Sequence, residues 1–389
     1  MKLVINAIST KPGGGLTVLT TLLRGWRRLE TDLQISVLVS NQRTIDTLER
    51  AGFDVDIVPV LLGAPSWKFF WWETGFLNKK LRDLGADVVM RSNHYQFNVS
   101  CKQVILHQNL WRFSPESPDP EVGPATGMAG IVEQLRNWSA RKALRSAAAN
   151  VFISDYLRSH AEAIVPESRP RNYVIYNAVD DALLEQSIQT PDRYDGAPVI
   201  AAVQDGNIQK DNQTLVRTMG ELVRREPQVN WRLKVAGGTG TGRFGDDFKQ
   251  LARAEGVADR IEWLGFQNQA EIDELLRTSL CLVFTSVVEG FGLPPLEAMA
   301  RRCPVVACNA TAMPEIIHDA GLLVEPRQAS QFADSVIRLY RDRELRRTLA
   351  DRGLERAKDF PATASAAKFC EVFQKVTGMP VQWNVPVRV

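Results

Sequence analysis

Short, continuous apolar runs alternate along this chain with longer segments whose apolar positions recur at helical spacing. Continuous runs, as opposed to alternating ones, are the pattern of strands buried on both faces of a parallel sheet. The first series predicts strands at Lys2–Asn6, Ile35–Val39, Val55–Pro59, Asp87–Met90, Gln103–His107, Asn150–Ser154 and Tyr173–Tyr176. A loop from Ala7 to Gly15 leads into a helix expected from about Leu16 to Leu29. A second series begins at Val199–Val203 and continues with Trp231–Ala236, Ile261–Leu264, Leu280–Phe284, Pro304–Ala307 and Gly321–Val324. Between the two series, Gln189–Pro198 is polar and carries two prolines, the composition of a linker. Strands alternating with helices predict an α/β protein with parallel sheets. A length of 389 residues exceeds what one hydrophobic core spans, so two domains are expected.

Composition narrows the function classes. Hydrophobic content of 44% and charged content of 24% are those of an ordinary globular protein. A net charge of +2 gives no reason to expect a nucleic-acid partner. The five cysteines form no Cys-x-x-Cys pair and read as buried free thiols of a reducing compartment. No run of about 18 apolar residues is present to span a membrane, and nothing resembles a signal peptide. A cytoplasmic protein is expected, with contact to the inner face of a membrane open.

The densest chemistry lies in Glu289-Gly-Phe-Gly-Leu-Pro-Pro-Leu-Glu297, directly after the apolar run Leu280–Phe284. Pro294 and Pro295 suit the opening positions of a helix, where a missing N–H costs nothing. Glu289 is therefore expected at the carboxyl end of a strand, and Glu297 in the first turn of the helix. Gly290 and Gly292 let backbone approach a ligand, and the helix N-terminus favours an anion. Together these suit an anion attached to something rich in hydroxyls, as a nucleotide sugar is. A second glycine cluster, Gly13-Gly-Gly15, joins the first strand to the first helix. No Gly-Lys-Ser/Thr follows it, which excludes an ATPase P-loop, and it lacks dinucleotide-binding spacing. His107 ends an apolar strand and is open to two roles, hydrogen-bonding a ligand or supporting the sheet.

Glu-x7-Glu enclosing Gly-Phe-Gly-Leu-Pro resembles the signature of the family-4 retaining glycosyltransferases. Pro304-Val-Val-Ala, Met313-Pro-Glu-Ile-Ile, Ala320–Pro326 and Val174–Asp180 resemble its neighbouring landmarks, in family order from the glycine loop to about residue 330. The resemblance implies the GT-B fold, two Rossmann-like domains with parallel sheets facing a central cleft. It implies an acceptor-binding domain over 1–188 and a nucleotide-sugar-binding domain over 189–361, with a helix from about 362 to 389 packing back on the first. The implied activity is that of a metal-independent, retaining, hexosyltransferase-type enzyme. It would move sugar from a UDP- or GDP-linked donor to a hydroxyl of a glycan or lipid-linked glycan, in cell-surface polysaccharide biosynthesis. No cofactor is implied. By the same resemblance Glu297 holds the ribose, Glu289 and His107 meet the transferred sugar, and Lys210 with Gly290, Phe291, Gly292 and Leu293 meets the diphosphate. Gly13, Gly14 and Gly15 would lie between donor and acceptor.

One position departs from the family pattern. Relatives carry an Arg and a Lys after the first strand of the second domain; here Lys210 matches, and Gln204 stands at the arginine's place. Arg243 is a candidate replacement cation. Two other readings therefore stay open, a sugar-nucleotide epimerase or hydrolase on the same fold, and a non-catalytic nucleotide-sugar-binding subunit. Pro65–Phe76 is rich in aromatics and suits either core or an acceptor-facing edge. Arg136–Arg145 is a basic helical stretch with one Trp, suited to solvent or to anionic headgroups. Asp54-Val-Asp56 lies in an edge-like run with both carboxylates facing solvent, and implies no metal.

Overall fold

The computed structural model describes residues 1–10, 13–60, 72–92, 99–108, 127–187, 198–238 and 242–384, without the side chains of 127–129, 132, 133, 136 and 242–244. Two compact units divide it: Met1–Asp181 with Phe360–Val389, and Ala182–Asp359. The polar linker read at 189–198 lies outside the described residues except for Pro198.

The first unit is built on a seven-stranded sheet. Its strands are β1 (Lys2–Asn6), β2 (Gln34–Val39), β3 (Asp56–Pro59), β4 (Val88–Arg91), β5 (Lys102–His107), β6 (Ala149–Phe152) and β7 (Asn172–Val174). They lie in the order β3-β2-β1-β4-β5-β6-β7, and every pairing is parallel. Central strands such as β4 and β6 are buried at every position, while β3 at the edge exposes Asp56 and Pro59. That contrast explains why the inner strands read as unbroken apolar runs and the edge strand as an alternating one. Asp54 and Asp56 are both exposed, Asp56 accepting a hydrogen bond from Ser36 Oγ at 3.3 Å. β6 stops at Phe152, short of the expected Ser154, because the Ser154 side chain caps the helix Asp155–Ile164 by accepting from the Leu157 N–H.

The C-terminal helix Ala362–Thr377 completes this unit by packing on the helix Gly14–Arg28. Close approach requires a glycine at residue 25, where a Cβ would stand 2.5 Å from the Ala362 carbonyl oxygen. Beside it, buried Trp26 donates from Nε1 to the Ala366 carbonyl (3.1 Å) and meets the rings of Phe369 and Phe373 at centroid distances of 6.2 and 6.0 Å. The chain leaves and re-enters the unit side by side. The Val179 N–H donates to the Phe360 carbonyl, the Ala362 N–H to the Val179 carbonyl, and Thr363 Oγ1 to Asp181 (2.6 Å).

The second unit holds a six-stranded parallel sheet: β8 (Val199–Val203), β9 (Arg232–Ala236), β10 (Ile261–Gly265), β11 (Cys281–Phe284), β12 (Val305–Cys308) and β13 (Leu322–Val324). The order is β10-β9-β8-β11-β12-β13. Local signals delimit its helices as the residue types demand. Asn268 and Glu271 form a reciprocal capping box on Gln269–Thr278, and Asp342 caps Arg343–Ala357 through the Leu345 N–H. Cys281, Cys303, Cys308 and Cys370 are buried free thiols, and burial holds each well above the ordinary thiol range. None is placed to act as a thiolate.

Candidate functional site

Strand order in the second unit reverses between β8 and β11, the place where an open α/β sheet offers a ligand crevice beyond its strand ends. The loops leaving these two strands are knitted together. Thr285, directly after β11, lies with Oγ1 2.9 Å from the Lys210 carbonyl and 3.0 Å from the Asp211 carbonyl. Ser286 Oγ donates to the Gln209 carbonyl (3.1 Å), as does the Val287 N–H (2.8 Å). This stitching positions Lys210. The residue ends a short 3-10 turn (Ile208–Lys210), and Asp211 then turns through a φ of 47° to cap the next helix.

Lys210 Nζ donates to Glu289 Oε1 at 2.5 Å and lies 5.5 Å from the centroid of Phe284. The two side chains are 19% and 14% exposed, so the pair is sheltered yet open to solvent at one edge. Burial alone would lower the lysine's pKa. The Glu289 carboxylate more than offsets this and holds the ammonium above its ordinary value. Glu289 itself sits within the loop that follows β11 rather than at the strand's end, its N–H donating to Thr311 Oγ1 (3.0 Å). The sequence reading treated the two residues separately; here they form one ion pair.

The signature helix runs from Leu293 to Ala300. Gly292 precedes it with φ 97° and ψ 62°, and a Cβ there would stand 2.3 Å from Met313 Cε. Both the backbone angle and the contact demand glycine. Because Gly292 makes Leu293 the first helical residue, Glu297 falls in the second turn and not, as expected, in the first. Pro294 and Pro295 then leave Leu293 as the one N–H donor among the first three helical positions. An anion at this helix would therefore rely on Leu293 and on the loop before it. Glu297 Oε1 accepts from Gln269 Nε2 (3.4 Å). Arg301, one turn on, donates to the Glu297 carbonyl (2.8 Å) and to Asp273 (2.6 Å). Burial raises the Glu297 pKa, against the opposing charge of Arg301.

Gln204, at the end of β8, is buried. Its Nε2 donates to Asn212 Oδ1 (2.6 Å) and lies 3.4 Å from Thr285 Oγ1, while Oε1 has no hydrogen-bond partner among the described residues. Asn212 in turn donates to the Asp205 carbonyl (2.8 Å). Gln204 thus braces the loop that carries Lys210. The Arg243 side chain lies outside the described residues.

The remaining sequence candidates belong to the first unit. Gly13, with φ 115°, precedes the helix Gly14–Arg28 and accepts from the Leu16 and Thr17 N–H groups. Gly14 and Gly15 are the first two helical residues, two positions ahead of the predicted start, so the glycine cluster is half loop and half helix. A Cβ on Gly15 would meet only Thr10 Cγ2, at an ordinary 3.6 Å. His107 is wholly buried, stacked on Phe152 at 4.7 Å, with Nε2 3.0 Å from Asn150 Oδ1. Burial pulls its pKa down to about 4 against the opposing Asn150 hydrogen bond, so the ring is neutral. In this placement no part of the imidazole reaches the surface. Of the aromatic segment, Trp72 packs against a buried cluster and Phe76 is exposed, while residues 65–71 lie outside the described set.

Sequence reasoning missed Thr285, Thr311, Gln269 and the Met313 contact. A hydroxyl directly after a buried strand was a visible signal for Thr285. The others act from distant segments and carry no local signal. Among the described residues no group of three or more His, Cys, Asp or Glu is placed to hold a metal ion.

The fold is GT-B, with two parallel-sheet α/β domains. It is shared with a crystal structure of a glycosyltransferase from Rickettsia africae (TM-score 0.73, 15% identity, 96% of this chain and 98% of that one). It is shared equally with sucrose-phosphate synthase from Thermosynechococcus elongatus (TM-score 0.75, 16% identity, 97% and 99%) and with Anabaena HepE in complex with UDP-glucose (0.73, 18%, 96% and 100%). In sequence, residues 185–356 match the family model of the glycosyl transferases group 1, which covers nearly all of the second unit. Curated relatives include a D-inositol 3-phosphate glycosyltransferase of Corynebacterium efficiens, 30% identical over 49% of this chain and 46% of the relative. An alpha-D-kanosaminyltransferase of Streptomyces kanamyceticus is 29% identical over 59% and 60%. The matched part of the chain thus spans about half the length of these relatives.

Proposed function

We propose that this chain is a retaining, metal-independent glycosyltransferase. It takes a sugar from a nucleoside diphosphate donor and passes it to a hydroxyl of a glycan or lipid-linked glycan, in the making of a cell-surface polysaccharide. The observation that carries the reading is the Lys210–Glu289 pair. It stands at the β8/β11 reversal beside the Gly292 turn, within the segment that matches the group 1 glycosyl transferases. An ammonium and a carboxylate sharing a sheltered, half-open site supply both halves of donor recognition. The cation suits the diphosphate, and the carboxylate suits the sugar hydroxyls.

In this reading the donor diphosphate takes over Lys210, and Glu289 turns from the lysine to accept from the transferred sugar. Backbone N–H groups from Gly290 to Leu293 complete the diphosphate contacts, and Glu297 accepts from the ribose hydroxyls. Arg243 is a further phosphate contact. The bond between the anomeric carbon and the phosphate oxygen breaks, and the bond to the acceptor oxygen forms on the same face. The acceptor proton passes to the leaving phosphate, so no enzyme nucleophile and no carboxylate pair at glycosidase spacing is needed. We place Gly13–Gly15 on the acceptor side. His107 is assigned to the support of the carboxyl end of its interior strand, since its Nε2 is engaged by Asn150.

Calorimetric titration with UDP and GDP, on the wild type and on Glu297→Ala, tests the reading. UDP comes first because HepE is crystallised with it. Tight binding of one nucleotide, weakened about tenfold or more (roughly 1.4 kcal/mol) in the variant, supports the ribose role. Binding of neither nucleotide, or equal binding by the variant, defeats it. Binding without transfer to any acceptor favours the non-catalytic subunit, and sugar release without an acceptor favours the hydrolase.

A further inference from the structure

The helix Gly127–Ser146 of the first unit is apolar on two opposite faces. Its inner face, Ala140, Ala143 and Leu144, is wholly buried, with Ala143 in a cluster with Ile105 and Ala147. Diametrically opposite, Ile131, Leu135 and Trp138 are 54%, 61% and 62% exposed. These three positions are spaced i, i+4 and i+7, so they form one outward stripe. The stripe continues at i+11 and i+14 as Lys142 and Arg145. Lys142 Nζ lies 5.2 Å from the centroid of the Trp138 ring, and Arg145 pairs with exposed Glu167. The outward face therefore runs over about 21 Å from apolar to cationic.

We infer that this face docks the protein onto an anionic bilayer surface, with Ile131, Leu135 and Trp138 entering the acyl boundary and the basic end lying among the headgroups. Three features favour a lipid surface over a protein. An exposed Trp beside aliphatic residues suits the wet-to-apolar boundary of a bilayer, where an indole buries its rings and keeps its N–H hydrated. The charge is complementary: Lys142 and Arg145 extend the stripe and Arg141 flanks it, the acidic Glu133 of the same helix falls on the opposite face, and Glu167 offsets Arg145 alone. A lysine packed over Trp138 keeps its ammonium at the headgroup level while its stem covers apolar surface. A second copy of the chain fits less well. A stripe of three apolar side chains is small beside the roughly 800 Å² per partner of a stable interface, and in a two-fold pair its cationic end would face either its own charge (parallel helices) or the partner's apolar end (antiparallel helices). The inference is independent of the nucleotide site, which lies in the other unit.

Co-sedimentation of the full chain with phosphatidylcholine vesicles, with and without phosphatidylglycerol, tests it. The wild type is expected to partition onto phosphatidylglycerol vesicles about tenfold or more better than onto phosphatidylcholine alone, with the difference shrinking at high salt. The triple variant Ile131→Ser, Leu135→Ser, Trp138→Ser should lose about tenfold or more of that partitioning while keeping the wild-type melting temperature. Lys142→Glu should weaken it less. Brominated lipid should quench wild-type fluorescence more than that of Trp138→Phe. Failure of the wild type to bind anionic vesicles overturns the inference, as does binding that the triple variant leaves intact. A wild-type dimer that the triple variant dissolves, without vesicle binding, replaces the lipid with a second copy.

Discussion

Both units reverse their strand order once, and both place charged groups there, yet the two places differ in kind. In the second unit the pair Lys210–Glu289 is 19% and 14% exposed, hung on loops stitched by Thr285 and Ser286. In the first unit the strand ends Asn6 and Arg91 lie opposite each other across β1 and β4. Asn6 Nδ2 donates to Glu73 Oε1 (2.7 Å), and Arg91 Nη2 approaches Glu73 Oε2 (3.4 Å), with the charged side chains 0% and 1% exposed. Topology thus marks two candidate sites, and burial separates them. An ion pair open to solvent can exchange its partner for a ligand at little cost. A sealed pair is committed to the fold, because separating it strands a charge in low dielectric.

The largest effect should come from breaking the sealed pair. Arg91→Met leaves Glu73 buried without its guanidinium and should cost about 3–5 kcal/mol in urea unfolding, while Arg91→Met with Glu73→Gln should recover most of that loss. A single variant costing under about 1 kcal/mol would show that the pair is not structural. Next comes His107, a second sealed group of the same sheet. Its folded pKa of about 4 lies below the unfolded value of about 6.5, so the unfolded chain binds the proton more readily between these limits. Its contribution is complete above about pH 6.5 and is lost as pH falls toward 4, a decline on the order of 3 kcal/mol that His107→Gln should flatten. Identical pH profiles for the two proteins would place the titration elsewhere.

How much of this was visible beforehand follows the same division between local and distant causes. Buried parallel strands were legible because a strand covered on both faces must be apolar throughout; β8 runs from Val199 to Val203 as read. Pro294 and Pro295 correctly announced a helix start. The turn occupied by Glu297 was not legible, because it depends on the left-handed Gly292, whose neighbour is Met313. The pairing of Lys210 with Glu289 needs β8 beside β11, and adjacency of distant strands has no local signature. Glu73 was hidden in an aromatic run and became a buried partner only through β1 and β4.

Glycines sharpen the contrast at a smaller scale. Gly292→Ala forces a non-glycine residue to φ 97° and a Cβ onto Met313, for a cost of about 2 kcal/mol in thermal unfolding. Gly15→Ala places a better helix former in a first turn with room for it, and should change stability by under about 1 kcal/mol. Equal costs at the two positions would mean that the Gly292 turn relaxes.

Least of all should stability answer to Lys210. Lys210→Met removes an ion pair whose two members keep contact with solvent, so Glu289 can rehydrate and unfolding should shift by under about 1 kcal/mol. Ligand affinity should respond instead. If the ammonium carries the donor diphosphate, its loss should weaken nucleoside diphosphate binding by about 1–3 kcal/mol, roughly ten- to a hundredfold. Glu289→Gln complements it: the lysine loses the carboxylate that occupies it, so the diphosphate no longer competes for the cation, while the transferred sugar loses the charge and one of the two accepting oxygens. Nucleotide alone should then bind as tightly as to wild type or more so, and turnover should fall. A Lys210→Met protein that unfolds like Arg91→Met would erase the distinction between the open pair and the sealed one. Unchanged nucleotide affinity in that variant would leave the pair open but without its proposed ligand.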